Sequence, residues 1–267
     1  MDPATRQQLA ASFGSEAGRY SAHRPTYPRA AVDWMVGTNP CDVLDLGAGA
    51  GALTAVAMAA GHRVVAADPS AAMVGELTAA SPAAATVQCA AENLPFAATS
   101  FDVVAVATAF HWFDPDRSLP EIAQVLRGGG RLSLTWSTRD ESVSWARRLG
   151  ALLRSVQPAS LEGDWATGSI AHIEQSGLFQ PLEYAEFPFA QRIDRDGLLG
   201  LVTSRSYVMA LDSRARERLV ADVGALFDET VAGTGSAERP ESTDLALAYR
   251  AQCWRAAAAG TARRRRG

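Results

Sequence analysis

From Asp42 onward, short and nearly continuous apolar runs alternate with helical segments, the texture of a parallel sheet covered on both faces and joined by crossover helices. The runs predict strands at Asp42–Leu46, Arg63–Ala67, Ala85–Cys89, Phe101–Ala107 and Gly130–Trp136, separated by helices over Gly51–Ala60, Ser70–Ala80 and Arg117–Leu126. Gly128-Gly129-Gly130 is read as the stop of that last helix, because glycine supplies the left-handed backbone that closes a helix. Upstream, helices are predicted at Thr5–Phe13 and Arg29–Val36, around a turn ordered by Pro25 and Pro28. Beyond Trp136 the pattern loosens. An amphipathic helix Ser142–Val156 and a short helix Ile170–Ser176 precede a strand Glu183–Phe189, an edge strand on account of Pro188. Helical stretches Asp196–Ala210 and Ala215–Val231 follow, then a loop at Gly233-Thr234-Gly235-Ser236 and a final strand Thr243–Trp254. The chain thus divides into an N-terminal helical lid at 1–40, a core at 41–137, a cap with the edge strand at 138–241, and a final strand with a basic tail at 242–267.

Composition narrows the choice of class. Of 267 residues, 48% are hydrophobic and 20% charged, enough for one large domain or one domain carrying a cap. No apolar run approaches the roughly 18 residues of a membrane span, and the opening residues lack the order of a signal peptide, so a soluble cytoplasmic protein without membrane contact is expected. Cys41, Cys89 and Cys253 match neither a zinc site nor a disulfide framework and read as small buried hydrophobes, with no metal expected. All 25 basic residues are arginine, which removes lysine Schiff-base chemistry and the lysine-bearing phosphate loop. The net charge of −4 argues against a nucleic-acid partner, and the run Arg263–Arg266 reads as a solvated tail.

The chemistry concentrates where the first strand ends. Asp45 runs into Gly47-Ala48-Gly49-Ala50-Gly51 ahead of a helix, so a ligand can approach both the strand tip and the helix N-terminus. Spacing alone leaves two families open: Gly47, Gly49 and Ala52 also satisfy a dinucleotide fingerprint, and Asp68 at the end of the second strand suits a ribose in either. Asp68-Pro69-Ser70 is equally an ordinary helix start. Charge separates the two families, because a pyrophosphate on this turn would meet the Asp45 carboxylate in a partly desolvated cleft.

Val43-Leu44-Asp45-Leu46-Gly47-Ala48-Gly49-Ala50-Gly51, Ala67-Asp68-Pro69-Ser70-Ala71-Ala72-Met73 and Ala91-Glu92-Asn93-Leu94-Pro95-Phe96 resemble, in order and spacing, the class I S-adenosylmethionine-dependent methyltransferases. Phe101-Asp102-Val103-Val104, Phe110-His111-Trp112-Phe113 and Leu126-Arg127-Gly128-Gly129-Gly130 extend the resemblance across residues 41 to 136. Tyr20 with Arg24-Pro25-Thr26-Tyr27-Pro28 looks like the small-molecule branch that includes trans-aconitate methyltransferase-like proteins. The resemblance implies an α/β, Rossmann-like three-layer sandwich, its mostly parallel seven-stranded sheet ending in an antiparallel last strand, with a helical cap. It implies S-adenosylmethionine as cofactor and S-adenosylhomocysteine as product.

The same resemblance assigns roles. Gly47, Ala48, Gly49 and Gly51 close on the methionine part with Asp45 near its ammonium, and Asp68 takes both ribose hydroxyls. Pro69 and Met73 pack on the adenine, Ala91 and Glu92 meet its edge, and Ala107 at the fourth strand tip completes the cofactor set. This chain has Ala90 where the family often has an acid, so Glu92 or a main-chain carbonyl must take the adenine amino group. Tyr20 and Arg24 are expected to fold over the cofactor, Arg24 forking onto its carboxylate or onto an acidic substrate.

His111 is the catalytic candidate, a general base by its ordinary pKa near 6.5, with the alternative that His111-Trp112-Phe113 is a wall excluding water. Tyr27, Trp112, Trp136, Arg205 and Tyr207 are the substrate-side candidates. Methyl transfer to oxygen, nitrogen or carbon of a small molecule by in-line displacement is the leading reading. A nicotinamide-dependent dehydrogenase and a non-catalytic partner that keeps the cofactor fold are its competitors.

Overall fold

The computed structural model describes residues 25–158, 165–234 and 244–259. The helix expected at Thr5–Phe13, Tyr20, Arg24 and the tail Arg263–Arg266 lie outside the described residues.

The described chain runs α1 (Arg29–Val36), β1 (Asp42–Leu46), α2 (Ala52–Ala59), β2 (Arg63–Asp68), α3 (Ala71–Ala80), β3 (Ala85–Gln88), β4 (Phe101–Ala107), a single 3-10 turn Phe110–Trp112, and α4 (Pro115–Val125). It continues through β5 (Leu126–Arg139), α5 (Ser144–Arg154), α6 (Trp165–Ser176), β6 (Glu183–Ile193), α7 (Arg195–Thr203), α8 (Ser206–Met209), α9 (Ser213–Thr234) and β7 (Leu245–Ala257). The seven strands form one sheet in the order β3-β2-β1-β4-β5-β7-β6. Pairings β3–β2, β2–β1, β1–β4 and β4–β5 are parallel. β7 runs the other way: Asp140 N donates to Ala248 O at 2.9 Å, and Ala258 N to Gly130 O at 2.9 Å. Pro188 sits on β6, the outermost strand, the place in a sheet where a residue without an N–H is tolerated.

By its contacts the chain forms two compact units. A core unit contains residues 27–136, 165–187 and 252–259. Its apolar interior is built from the inward faces of β1, β4 and β5 with Leu119, Ile122 and Val125 of α4 and Ile173 of α6. A helical unit contains residues 137–158, 188–234 and 244–251, and its separate interior gathers Leu149 and Leu153 of α5, Leu198 and Val202 of α7, Val223 and Phe227 of α9, and Leu247 and Tyr249 of β7.

Three sequence expectations change. The helix before β5 does not run to the glycines: it ends at Val125, and Leu126 is already extended and paired with Phe101. Gly128 to Gly130 lie within β5, at a register shift that places Val103 opposite Arg131, with Gly129 at φ 82°. Gly130 is pinned there because a Cβ would come within 3.0 Å of two carbonyl oxygens, those of Arg127 and Asp102. The helix expected over Asp196–Ala210 is broken at Ser204-Arg205 into α7 and α8. At the break Thr203 Oγ1 donates to Leu199 O at 2.8 Å and Ser204 Oγ to Leu201 O at 3.0 Å, local bonds that compete with the helix ladder. Finally, only Cys253 is buried; Cys41 and Cys89 are half-buried free thiols. No helix among the described residues is long and apolar enough to cross a membrane.

A buried polar contact fastens α1 to the sheet. Met35, in the last turn of α1, has a carbonyl that no intrahelical N–H reaches, and Ser133 Oγ of β5 donates to it at 2.8 Å. Ser133→Ala leaves that buried carbonyl without its donor and is expected to cost about 1–2 kcal/mol, read as a lower midpoint in urea unfolding.

Candidate functional site

Parallel pairing brings the carboxyl ends of β1, β2 and β4 to one edge of the core unit. Because β2 and β3 lie on one side of β1 and β4 and β5 on the other, the chain reverses its direction of growth between β1 and β4, the position at which open α/β sheets take their ligands. The glycine turn stands at that point. Gly47 N and Ala48 N donate to Ala67 O at 2.8 and 3.0 Å, tying the turn to the tip of β2. Gly47 has φ 72°, and a Cβ there would stand 2.6 Å from Ala109 Cβ beyond β4, so only glycine fits. Gly49, at φ 55°, has nothing within 4 Å of the position a Cβ would take, which leaves backbone open for a ligand to approach.

Two acids lie beneath and beside this turn. Asp45 is 1% exposed. Its Oδ2 accepts from Thr54 Oγ1 in α2 at 2.6 Å, while its Oδ1 is buried and has no hydrogen-bond partner among the described residues. Burial, with the nearby Asp68 charge adding to it against the Thr54 bonds, raises the Asp45 carboxyl from 3.8 to about 7. Asp68, at the tip of β2, accepts Gly49 N on Oδ2 and Ser70 N on Oδ1, both at 2.9 Å. Burial raises its pKa too, and the two backbone bonds oppose the shift. Each Asp68 oxygen keeps a second lone pair. The helix-start alternative for Asp68 falls to Ser70, which is the N-cap of α3 and accepts from Met73 N at 3.4 Å.

The remaining expected residues separate. Met73 and Ala91 are buried in the core unit, and Pro69 is exposed with its carbonyl accepting from Gln88 Nε2 at 3.1 Å. Glu92 Oε1 accepts Asp114 N at 2.7 Å, so this carboxylate anchors the start of α4. Ala107 ends β4, paired with Thr135 of β5. Tyr27 reaches that strand end, its hydroxyl 3.1 Å from Thr108 Oγ1. Thr108, which the sequence did not single out, adopts φ 53°, a strained value for a β-branched residue.

His111, Trp112 and Trp136 form an aromatic group. His111 and Trp112 ring centroids lie 4.7 Å apart, and Trp136 Nε1 points at His111 Nδ1 at 3.4 Å. An indole N–H only donates, so Nδ1 is the acceptor and the neutral imidazole carries its proton on Nε2. Trp136 in turn meets Trp254 edge-to-face at 5.6 Å. Arg205 and Tyr207 belong to the helical unit, in the bend after α7 and in α8.

Comparison with known proteins agrees with this geometry. Residues 44–134 match the family model described as Methyltransferase domain. The chain is 36% identical over 252 residues to an uncharacterized methyltransferase of Mycobacterium tuberculosis strain H37Rv, covering 94% of this chain and 98% of that one. It is 30% identical over 223 residues to an uncharacterized methyltransferase-like protein of Schizosaccharomyces pombe, covering 79% and 84%. Among solved structures, a candidate Type II methyltransferase from Anaeromyxobacter dehalogenans superposes with a TM-score of 0.64 at 25% identity, over 89% of this chain and 98% of that one.

The raised Asp45 pKa has a sign that stability measurements can read. The folded state holds this proton more tightly than the unfolded chain, so the contribution is complete below about pH 4 and is lost as pH rises towards about 7. The melting temperature is expected to fall between pH 5 and pH 8, and to fall less in Asp45→Asn. An equal fall in both proteins would show that Asp45 does not titrate in this range.

Proposed function

Because the chain belongs to the class I S-adenosylmethionine-dependent methyltransferases, we propose that it methylates a small-molecule acceptor, at oxygen, nitrogen or carbon, by in-line displacement. The supporting observation is the pair of buried acids at the turn, Asp45 and Asp68, the Asp68 charge acting on Asp45 and neither acid in a salt bridge among the described residues. Such a site repels a pyrophosphate and attracts a cationic ligand. The residues present fit S-adenosylmethionine: Asp45 carries a buried acceptor atom without a partner, Asp68 keeps lone pairs for two ribose hydroxyls, and the backbone at Gly49 is open. When bound, the cofactor supplies a methyl group activated by a positively charged sulfur.

The chain's own part is to bind, orient and exclude water. Asp45 lies beneath the turn rather than on its surface, so it acts on the ammonium through its field in a poorly screened interior. Gly47, Ala48, Gly49 and Gly51 hold the methionine part, Asp68 the ribose, and Pro69, Met73, Ala91 and Ala107 the adenine side. Glu92 holds the start of α4 through one carboxylate oxygen, and Glu92 or a main-chain carbonyl serves the adenine amino group. His111 works as an aromatic wall and a hydrogen-bond donor, because the lone pair a base needs is engaged by Trp136. An acceptor outside nucleic acid agrees with the net charge of −4 and with Ala107-Thr108-Ala109-Phe110 after β4, where amino-methylating nucleic-acid enzymes carry an Asn/Asp-Pro-Pro-aromatic run.

Calorimetric titration separates the readings. S-adenosylhomocysteine is expected to bind and NAD(P) not to bind; binding of the dinucleotide alone would establish the dehydrogenase reading. Asp68→Ala is expected to weaken S-adenosylhomocysteine at least about tenfold, about 1.4 kcal/mol, and unchanged affinity would contradict the ribose assignment. Methyl release into a metabolite panel at saturating cofactor distinguishes an enzyme from a non-catalytic partner. His111→Phe is expected to retain kcat within about tenfold, whereas loss of a general base costs about 10²–10⁴.

A further inference from the structure

Two arginines of the helical unit make no salt bridge among the described residues and have a buried Nε without a hydrogen-bond partner there. Arg139 is the last residue of β5, and Arg205 lies in the bend between α7 and α8. They interact electrostatically with each other and, through Arg139, with Tyr249, Tyr207 and, most weakly, Glu141. The Nε atoms of both arginines and the Tyr207 hydroxyl are shielded from solvent and have no hydrogen-bond partner among the described residues. The acids adjoining Arg139 in sequence are already engaged: Asp140 pairs with Arg250 at 3.1 Å and Glu141 with Arg154 at 2.6 Å. Asp194, before α7, caps that helix by accepting Gly197 N at 2.7 Å.

The contrast with other arginines of the same unit is the informative part. Arg148 pairs with Glu229 at 2.6 Å and Arg195 with Asp228 at 3.1 Å, and all four of those side chains are substantially exposed. Among the described residues, these two solvated arginines are paired with acids, whereas Arg139 and Arg205, whose Nε atoms are shielded, are not. Burial, and then the like charge of Arg205, pull Arg139 down to about 10, so it stays charged at neutral pH. Two like charges in a poorly solvated place are unfavourable alone and become favourable around an anion. A guanidinium fork with a neighbouring phenol matches a planar carboxylate or a phosphate, presenting N–H and O–H donors to its oxygens.

We propose that Arg139, Arg205 and Tyr207 form a receptor for an oxyanion, a carboxylate or a phosphate group carried by the methyl acceptor. This assignment rests on the small-molecule reading above and narrows the acceptor to an anionic class. Arg205 and Tyr207 are residues the sequence suggests for the substrate; Arg139 is not, and without it the other two are a single charge and a phenol.

The experiment uses the full chain, with sodium succinate and sodium phosphate as probes against sodium chloride at equal ionic strength, followed by thermal melting and calorimetry. Succinate, phosphate or both are expected to raise the melting temperature above the chloride control; succinate alone identifies a carboxylate ligand and phosphate alone a phosphate ester. Arg139→Gln and Arg205→Gln are each expected to weaken the effective anion at least tenfold and to leave S-adenosylhomocysteine affinity within twofold. Each is also expected to melt no lower than the parent without anion, since an uncompensated buried charge has been removed. Should either arginine variant fail to fold, Tyr207→Phe, which deletes one hydroxyl, carries the test with a severalfold loss of anion affinity. No anion response in the parent, or an equal response in parent and variants, overturns the receptor while leaving the methyltransferase reading intact. Failure of the parent to bind S-adenosylhomocysteine overturns that reading instead.

Discussion

Two carboxyl groups held out of water at the tips of adjacent parallel strands are the constraint around which the core unit is organised. Asp45 of β1 and Asp68 of β2 are placed by strand register; burial opposes ionisation of both, and the Asp68 charge opposes that of Asp45 further. The protein resolves this unequally. Asp68 spends one lone pair of each oxygen on backbone amides, which draws the glycine turn and the start of α3 together. Asp45 has the Thr54 hydroxyl and nothing on its other oxygen, so its carboxyl titrates near neutrality. A unit positive charge about 6 Å away at an effective dielectric of about 20 would be worth about 3 kcal/mol to the ionised form, enough to move it across neutral pH. The turn is therefore suited to a cationic cofactor by the atoms beneath it as well as by its glycines.

Much of this was legible in the sequence because the responsible signals are local. The apolar runs of β1 to β4 need no knowledge of tertiary contacts, and an acid at the end of each of the first two marks the strand tips. The glycine triplet 128–130 misled because glycine serves helix stops and strand irregularities alike, and only pairing of Leu126 with Phe101 decides between them. The break at Ser204 is invisible to apolar periodicity, since the hydroxyls that cause it preserve the pattern. Thr54 could have been noticed, as a polar residue in the first turn of an apolar helix, next to the strand that carries the acid. Thr108 could not, because threonine is an ordinary strand former and its positive φ is imposed by its surroundings.

The substrate side shows a different limit. Arg139 sits in a run, Arg-Asp-Glu, that reads as solvated surface with its own counterions. In the folded chain those two acids form their salt bridges with Arg250 and Arg154, and the strongest charge acting on Arg139 is that of another arginine, Arg205. The feature on which the anion receptor is proposed is thus an absence of partners among the described residues, a property of packing that no motif encodes. The same holds for His111, whose residue type suggests a base and whose bond from Trp136 assigns the proton to the other nitrogen.

The coupling between the buried acid and the cationic cofactor can be measured directly as protons exchanged on binding. Titrating S-adenosylmethionine at pH 7 by calorimetry in two buffers of different ionisation enthalpy gives that number for the wild type and for Asp45→Asn. The expected result is that the wild type releases about half a proton more per molecule bound than the variant, since a carboxyl near pKa 7 ionises fully beside the bound cation. Equal proton counts in the two proteins would contradict the role given to Asp45.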